Sequence, residues 1–145
     1  MSTADDLAWR VASEMLEHDL ASRSLGMVLD ACSTGSARMK MTVRPDMVNG
    51  HGICHGGLIF ALADSTFAFA CNSYNSRTVA QGADINFVAP AHMGDVLVAQ
   101  ATEVAKGPRS GVYDIEVRLE GGEVVALFRG RSRTFPTQTV LKEEE

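Results

Sequence analysis

Residues 52 to 72 read GICHGGLIFALADSTFAFACN, and they place one carboxylate, Asp64, in a run that is otherwise apolar or small. No Lys or Arg occurs between Arg44 and Arg77, so nothing local in the chain neutralises it. Burying an ionised carboxylate without partners costs several kcal/mol, and the usual response is a raised pKa. The structural alternative is that Asp64 faces a solvated seam or accepts hydrogen bonds from neighbours such as Thr66. Eight residues earlier stands the turn His55-Gly56-Gly57, which opens the same run and supplies backbone N–H groups at a helix start. A partly desolvated base beside such donors suits hydrolysis of an acyl derivative. One helix cannot bring the two together, because eight residues span about 12 Å along its axis. Spacing therefore points to a site shared between two chains, with the helices antiparallel across a two-fold axis.

Other chemistry-bearing residues are weaker. His51, Cys54 and His55 offer three ligands at most and no second Cys/His pair follows, so no metal is expected. Gly50-x-Gly52 does not continue as a dinucleotide fingerprint, and no cofactor is expected. Cys54 and Cys71 read as packed thiols rather than nucleophiles. Arg129, Arg131 and Arg133 alternate and so share one strand face, where they either meet phosphates or lie solvated. Lys106 and Arg109, on a Gly-Pro turn, are further cationic candidates.

These residues must be positioned by an α+β architecture. Leu7, Val11, Met15 and Leu16 recur near helical spacing over residues 5–20, with Gly26 as a stop signal. Strand patterning follows: Met39, Met41 and Val43 alternate with polar residues until Pro45, and a loop runs through residues 49–52. Gly56 to Cys71 is rich in Ala and Leu with no internal proline, which predicts a helix buried on nearly all sides. Four strands are predicted after it, at 79–89, 96–104, 112–119 and 124–135. Short connections make these late strands antiparallel neighbours. An antiparallel sheet wrapped around one apolar helix results, with edges that a second copy would cover.

The sequence has 145 residues, 46% of them hydrophobic, which fits one globular domain over 1–145 with a flexible tail from about 137. The net charge of -5 argues against nucleic acid as a partner. Three cysteines without a Cys-x-x-Cys pair, an acidic N-terminus and no long apolar span predict a cytoplasmic chain that does not enter the membrane.

Five segments together carry a resemblance: Asn49-Gly50-His51, Cys54-His55-Gly56-Gly57, Leu62-Ala63-Asp64, Gly111-Val112-Tyr113-Asp114-Ile115 and Ala126-Leu127-Phe128-Arg129-Gly130. Over nearly the whole chain they resemble the PaaI family of phenylacetate-degradation thioesterases. The resemblance implies the hot dog fold, dimers that commonly pair into homotetramers, and metal-free hydrolysis of acyl-CoA thioesters. It implies phenylacetyl-CoA and its ring-hydroxylated or ring-oxidised derivatives as substrates. Under it, Asp64 is the general base or nucleophile, and the Gly56 N–H of the opposing subunit polarises the thioester carbonyl. Asn49 orients the water or the acid, while His55 supports the turn or the leaving thiolate. Gly57 belongs to the same turn, and Leu58, Phe60 and Phe67 are expected to line an apolar slot. Where several relatives carry a Ser or Thr on the strand after the helix, this chain has Gly82, with Gln81 beside it. Two other functions compete: a hot dog hydratase-dehydratase using His51 or His55 with Asp64, and a non-catalytic acyl-CoA-binding module.

Overall fold

A computed structural model describes residues 2–142. The chain opens with α1 (Thr3–His18), capped by the Ser2 hydroxyl, which accepts from the Asp5 N–H at 3.1 Å. The predicted helix stops short of Leu20. Asp19 breaks it, because its carboxylate accepts from the Ser22 N–H at 3.0 Å and caps a second helix, α2 (Leu20–Ser24). Then come β1 (Val28–Ser33), β2 (Ser36–Thr42) and a 3-10 turn at Pro45–Met47. The long helix α3 spans Gly56–Cys71, the limits that composition predicted. β3 (Arg77–Phe87), β4 (Val96–Lys106), β5 (Ser110–Leu119) and β6 (Val124–Phe135) complete the chain.

The six strands form one antiparallel sheet in the order β1-β2-β4-β5-β6-β3. β4, β5 and β6 are consecutive hairpin neighbours, as their short turns require. β3 departs from the expected neighbour order: it pairs with β6 at the far edge and not with β4. The connection through residues 88–95 makes this possible. Val88 and Ala89 donate to the Val125 carbonyl at the start of β6, and Ala91 accepts from the Cys54 N–H at 2.8 Å.

The inner sheet face carries Met39, Met41, Leu97, Ala99, Ala101, Tyr113, Ile115, Val117 and Phe128, all buried. Against it α3 presses Ile59, Leu62, Ala63, Phe67 and Ala70. The small side chains of Ala99 and Ala101 let the helix approach the sheet closely. Phe67 lies 5.6 Å from Tyr113 and 6.0 Å from Phe128, ring centre to ring centre. A Cβ on Gly130 would stand 2.8 Å from the Phe67 ring, so that strand position must be glycine for the helix to sit where it does. The result is a sheet wrapped around a central helix, the hot dog fold.

The helix is not covered all round. Gly57, Ala61, Asp64, Ser65 and Ala68 form a partly exposed stripe facing away from the sheet. Of the segment expected to be flexible, Gln138 accepts hydrogen bonds from the backbone and side chain of Arg77, and the Leu141 N–H donates to Asn75 Oδ1 at 2.8 Å. Residues 143–145 of that tail lie outside the described residues.

Candidate active site

The loop before α3 is set by its own polar groups. Asn49 Oδ1 accepts from the His51 N–H at 2.9 Å and the Ile53 N–H at 3.4 Å, and Gly52 turns the chain at φ 78°. Backbone bonds from Cys54 to Ala91 and from His55 to Met47, each 2.8 Å, then fix the point at which the helix begins. His55 is the N-cap of α3, and its Nδ1 accepts from the Gly57 N–H at 2.9 Å. The imidazole thus supports the turn. It satisfies Gly57, while the Gly56 N–H has no acceptor among the described residues. Asn49 and Gly56 line a cleft of about 540 Å³ with Ile59, Phe87, Val88 and Pro90. The Phe87 ring covers Gly56 so closely that a Cβ there would meet it at 3.1 Å.

Asp64 does not line that cleft. It is half-buried, and among the described residues its carboxylate has no hydrogen-bond or ion-pair partner. Thr66 does not supply one, since its hydroxyl donates to the Leu62 carbonyl at 2.7 Å. Burial, and secondarily the negative charge of Asp19, holds the Asp64 carboxyl above its usual range. The separation that spacing demanded within one chain is therefore present.

The remaining expected residues divide. Leu58 and Phe60 are partly buried, packed against the core. Phe67, expected in an acyl slot, is instead a core residue at 1% exposure, drawn inward by its contacts with Tyr113 and Phe128. Gln81, Lys106 and Arg131 meet around a second cleft of about 440 Å³, with Ser110 and Ser132. The Arg131 guanidinium also covers Gly82, where a Cβ would lie 3.1 Å from it. Its Nη1 donates to Asp84 at 3.1 Å. Arg129 lies further along the outer sheet face, gripped by Asp114 at 2.6 and 2.9 Å. Arg109 occupies the same hairpin turn as Lys106, its carbonyl accepting from the Thr134 N–H at 2.9 Å. Arg133 stacks over Phe135 at 6.0 Å.

Among the described residues, no three His, Cys, Asp or Glu side chains converge as metal ligands. No helix among them is long and apolar enough to cross a membrane. Cys32, Cys54 and Cys71 are buried free thiols, and burial pushes Cys32 up to about 11 and Cys71 up to about 12. None is a ready thiolate. Sequence reasoning missed the part of the cleft made by residues 87–91. Its signal was the apolar run Phe87-Val88-Ala89-Pro90, too long on its apolar side for a simple strand end.

A buried helix crossing a six-stranded antiparallel sheet defines the hot dog class, and among the described residues the amide at the helix start and the acid on its exposed stripe both lack partners. Residues 51–126 match the Thioesterase superfamily. Acyl-coenzyme A thioesterase PaaI of Escherichia coli K12 is 44% identical over 125 residues, covering 86% of this chain and 89% of that protein. The structure of the E. coli PaaI protein from the phenylacetic acid degradation operon superposes with a TM-score of 0.92 at 41% identity, covering 94% of this chain and 99% of that one. A mutant of the phenylacetic acid degradation protein PaaI from Thermus thermophilus gives 0.78 at 35% identity, over 81% of this chain and all of the other. The chain belongs to the PaaI thioesterases of this superfamily and is a thioester hydrolase.

Proposed function

We propose that the chain hydrolyses acyl-CoA thioesters in aromatic catabolism, with phenylacetyl-CoA and its ring-hydroxylated or ring-oxidised derivatives as substrates, and that it works as a homodimer that pairs into a homotetramer. The similar E. coli protein carries the name of an acyl-CoA thioesterase, and its structure that of the phenylacetic acid degradation operon. The observation that carries the reading is the half-buried carboxylate of Asp64, unpartnered among the described residues, eight residues from a Gly56 N–H that has no acceptor among them.

The open edge strand supports this assembly. Among the described residues β3 pairs with β6 alone, and Val79, Phe87 and Val88 beside its open edge are 40%, 52% and 54% exposed. Pairing two β3 edges continues the sheet and sets two α3 helices antiparallel, their small stripe residues Gly57, Ala61 and Ala68 allowing close approach. Each Asp64 then faces the Gly56 end of its twin.

In that arrangement the thioester carbonyl oxygen accepts from the Gly56 N–H. Water attacks the carbonyl carbon and gives a proton to the Asp64 carboxylate. The tetrahedral oxyanion collapses, the C–S bond breaks, and the CoA sulfur leaves as thiolate, to be protonated from Asp64 or solvent. Direct attack by Asp64 through an anhydride reaches the same products, and label entering the enzyme during single turnover in oxygen-18 water identifies that route with water opening the anhydride at the aspartyl carbon. Asn49 orients the water from the cleft wall. Leu58 and Phe60 contact the acyl group, and the cleft of Gln81, Lys106 and Arg131 receives phosphate groups of CoA.

The test is thiol release from phenylacetyl-CoA beside loss of enoyl absorbance from crotonyl-CoA. Hydration without thiol release means a hydratase, and tight binding without either reaction means a binding module. A fully active monomer would overturn the shared site.

A further inference from the structure

Where α3 ends, two tyrosines and a carboxylate form a polar cluster beside a lysine. Tyr74, in the turn after the helix, donates its hydroxyl to Glu103 Oε1 at 2.7 Å, and the buried Tyr113 donates to the same oxygen at 3.1 Å. Burial keeps both phenols protonated, pushing Tyr74 up to about 12, so each has a proton to give. Glu103 is itself fixed: its N–H donates to the Gly35 carbonyl at 3.0 Å, and the Gly35 N–H donates to Ser73 Oγ at 2.8 Å. The Tyr74 ring is therefore held at its oxygen and through its chain neighbour. Over its face stands the Lys106 ammonium, 4.4 Å from the ring centre.

Lys106 is not taken by an acid. Among the described residues no carboxylate is ion-paired with it, whereas Arg118, Arg129 and Arg131 each have one. Glu103 does not fill that place, because Lys106 meets the ring and not the carboxylate. An ammonium has three N–H donors, and a ring face covers only one side of it. Lys106 lines the cleft of about 440 Å³ with Arg131, Gln81, Ser110 and Ser132. Its backbone is fixed too: the Gly107 N–H donates to the Ser110 carbonyl at 2.8 Å, and the Arg109 carbonyl ties the turn to Thr134 of β6. A lysine on an open surface gives up its rotamer freedom when it binds an anion. Tyr74 removes that freedom beforehand, which raises affinity by preorganisation.

We propose that Tyr74 is a positioning residue for recognition of CoA: its ring, anchored by Glu103, presets the Lys106 ammonium for a phosphate group in this cleft. The proposal rests on the reading of the chain as an acyl-CoA thioesterase. Distance agrees with it. Asp64 lies about 10 Å of helical rise before the end of α3 at Cys71, and Tyr74 lies beyond that end. A ligand that reacts at Asp64 of the same chain and reaches Lys106 does not do so with its acyl group. The pantetheine arm, which separates the thioester of CoA from its phosphates, supplies the length.

The experiment compares two thioesters of one acid, phenylacetyl-CoA and phenylacetyl-pantetheine, which lacks every phosphate. The readout is KM for the pantetheine thioester divided by KM for the CoA thioester, a ratio that does not depend on how much of a variant is folded. Lys106→Met lowers it. Tyr74→Leu lowers it about two- to fivefold, by raising KM for the CoA thioester while kcat holds. Tyr74→Gln, also without a ring, serves in its place if Tyr74→Leu does not fold. Tyr74→Phe, which keeps the ring, keeps the wild-type ratio. In the Lys106→Met background Tyr74→Leu changes the ratio no further, because the two residues act as one unit. A wild-type ratio in Lys106→Met or in the ringless variant overturns the proposal. So does a fall in Tyr74→Phe as large as in Tyr74→Leu, or a full effect of Tyr74→Leu without Lys106. Each of these leaves the thioesterase reading standing. Thiol release from neither thioester by the wild type removes that reading, and the proposal with it.

Discussion

Asp64, on the uncovered stripe of α3, and Asp114, on the outer face of the sheet, are the same residue under opposite fields. Asp114 stands in register with Arg129 on the next strand and holds two of its guanidinium nitrogens, so its carboxyl titrates below the usual range. Asp64 has no such cation among the described residues, and burial raises it. The outer face repeats the Asp114 solution: Asp84 takes Arg131, and Glu116 takes Arg118. α3 has no basic residue at all. Acids that only need to be tolerated are given a cation on the same face, whereas the acid of the candidate site is denied one and keeps its affinity for a proton.

The largest expected effect tests the helical side of this contrast. Asp64→Asn should lower turnover of phenylacetyl-CoA by about 10²–10⁴-fold while substrate binding survives, because an amide accepts no proton from water. Thiol titration and equilibrium binding measure the two separately, and near-normal turnover would mean the unpartnered acid is not the base.

Next in size is a packing effect. Gly130→Ala drives a Cβ into the Phe67 ring, and overpacking of this kind costs about 1–3 kcal/mol. Denaturant unfolding should show it, and an unchanged midpoint would deny that helix and sheet are so tightly apposed.

The third prediction concerns stability against pH. The ordinary value for Asp64 is 3.8 and the folded value is higher, so the folded state disfavours its ionised form. Below 3.8 the group is protonated in both states and the penalty vanishes. It grows as pH rises through the folded value. Asp64→Asn should therefore melt above wild type at neutral pH, with the gap closing as the pH is lowered to 3.8. A variant that melts below wild type at neutral pH would show a hidden partner for Asp64.

Asp114→Asn should do least. The pair is about half exposed on each side, so solvent and salt screen it, and Tm should change by no more than about 3 °C. Its sign is opposite: the folded pKa is lowered, so the contribution is present above 3.8 and fades as pH falls through the folded value. A large loss at neutral pH would make the outer-face pairs structural in a way their exposure contradicts.

Much of this was legible in residue order. The limits of α3 could be read from composition, and the alternation of Met39, Met41 and Val43 placed the buried side of β2 and its exit correctly. The distance between Gly56 and Asp64 could be read from helical rise alone. Less legible was Phe67, which looks like any apolar residue of α3 until Tyr113, Phe128 and Gly130 are brought beneath it. Tyr74 and Glu103 are 29 positions apart, and nothing in either neighbourhood announces the other.

By itself, the sequence determined what local physics decides: period, cap, turn and the presence of an acid without a nearby base. Those depend on neighbours a few residues away, whose geometry a helix or strand fixes in advance. Only the tertiary structure decided that β3 lies beyond β6, that Arg129 is taken by Asp114, and that two tyrosines end on Glu103. Such pairings depend on which distant segments the packing of one helix against one sheet brings within hydrogen-bond reach.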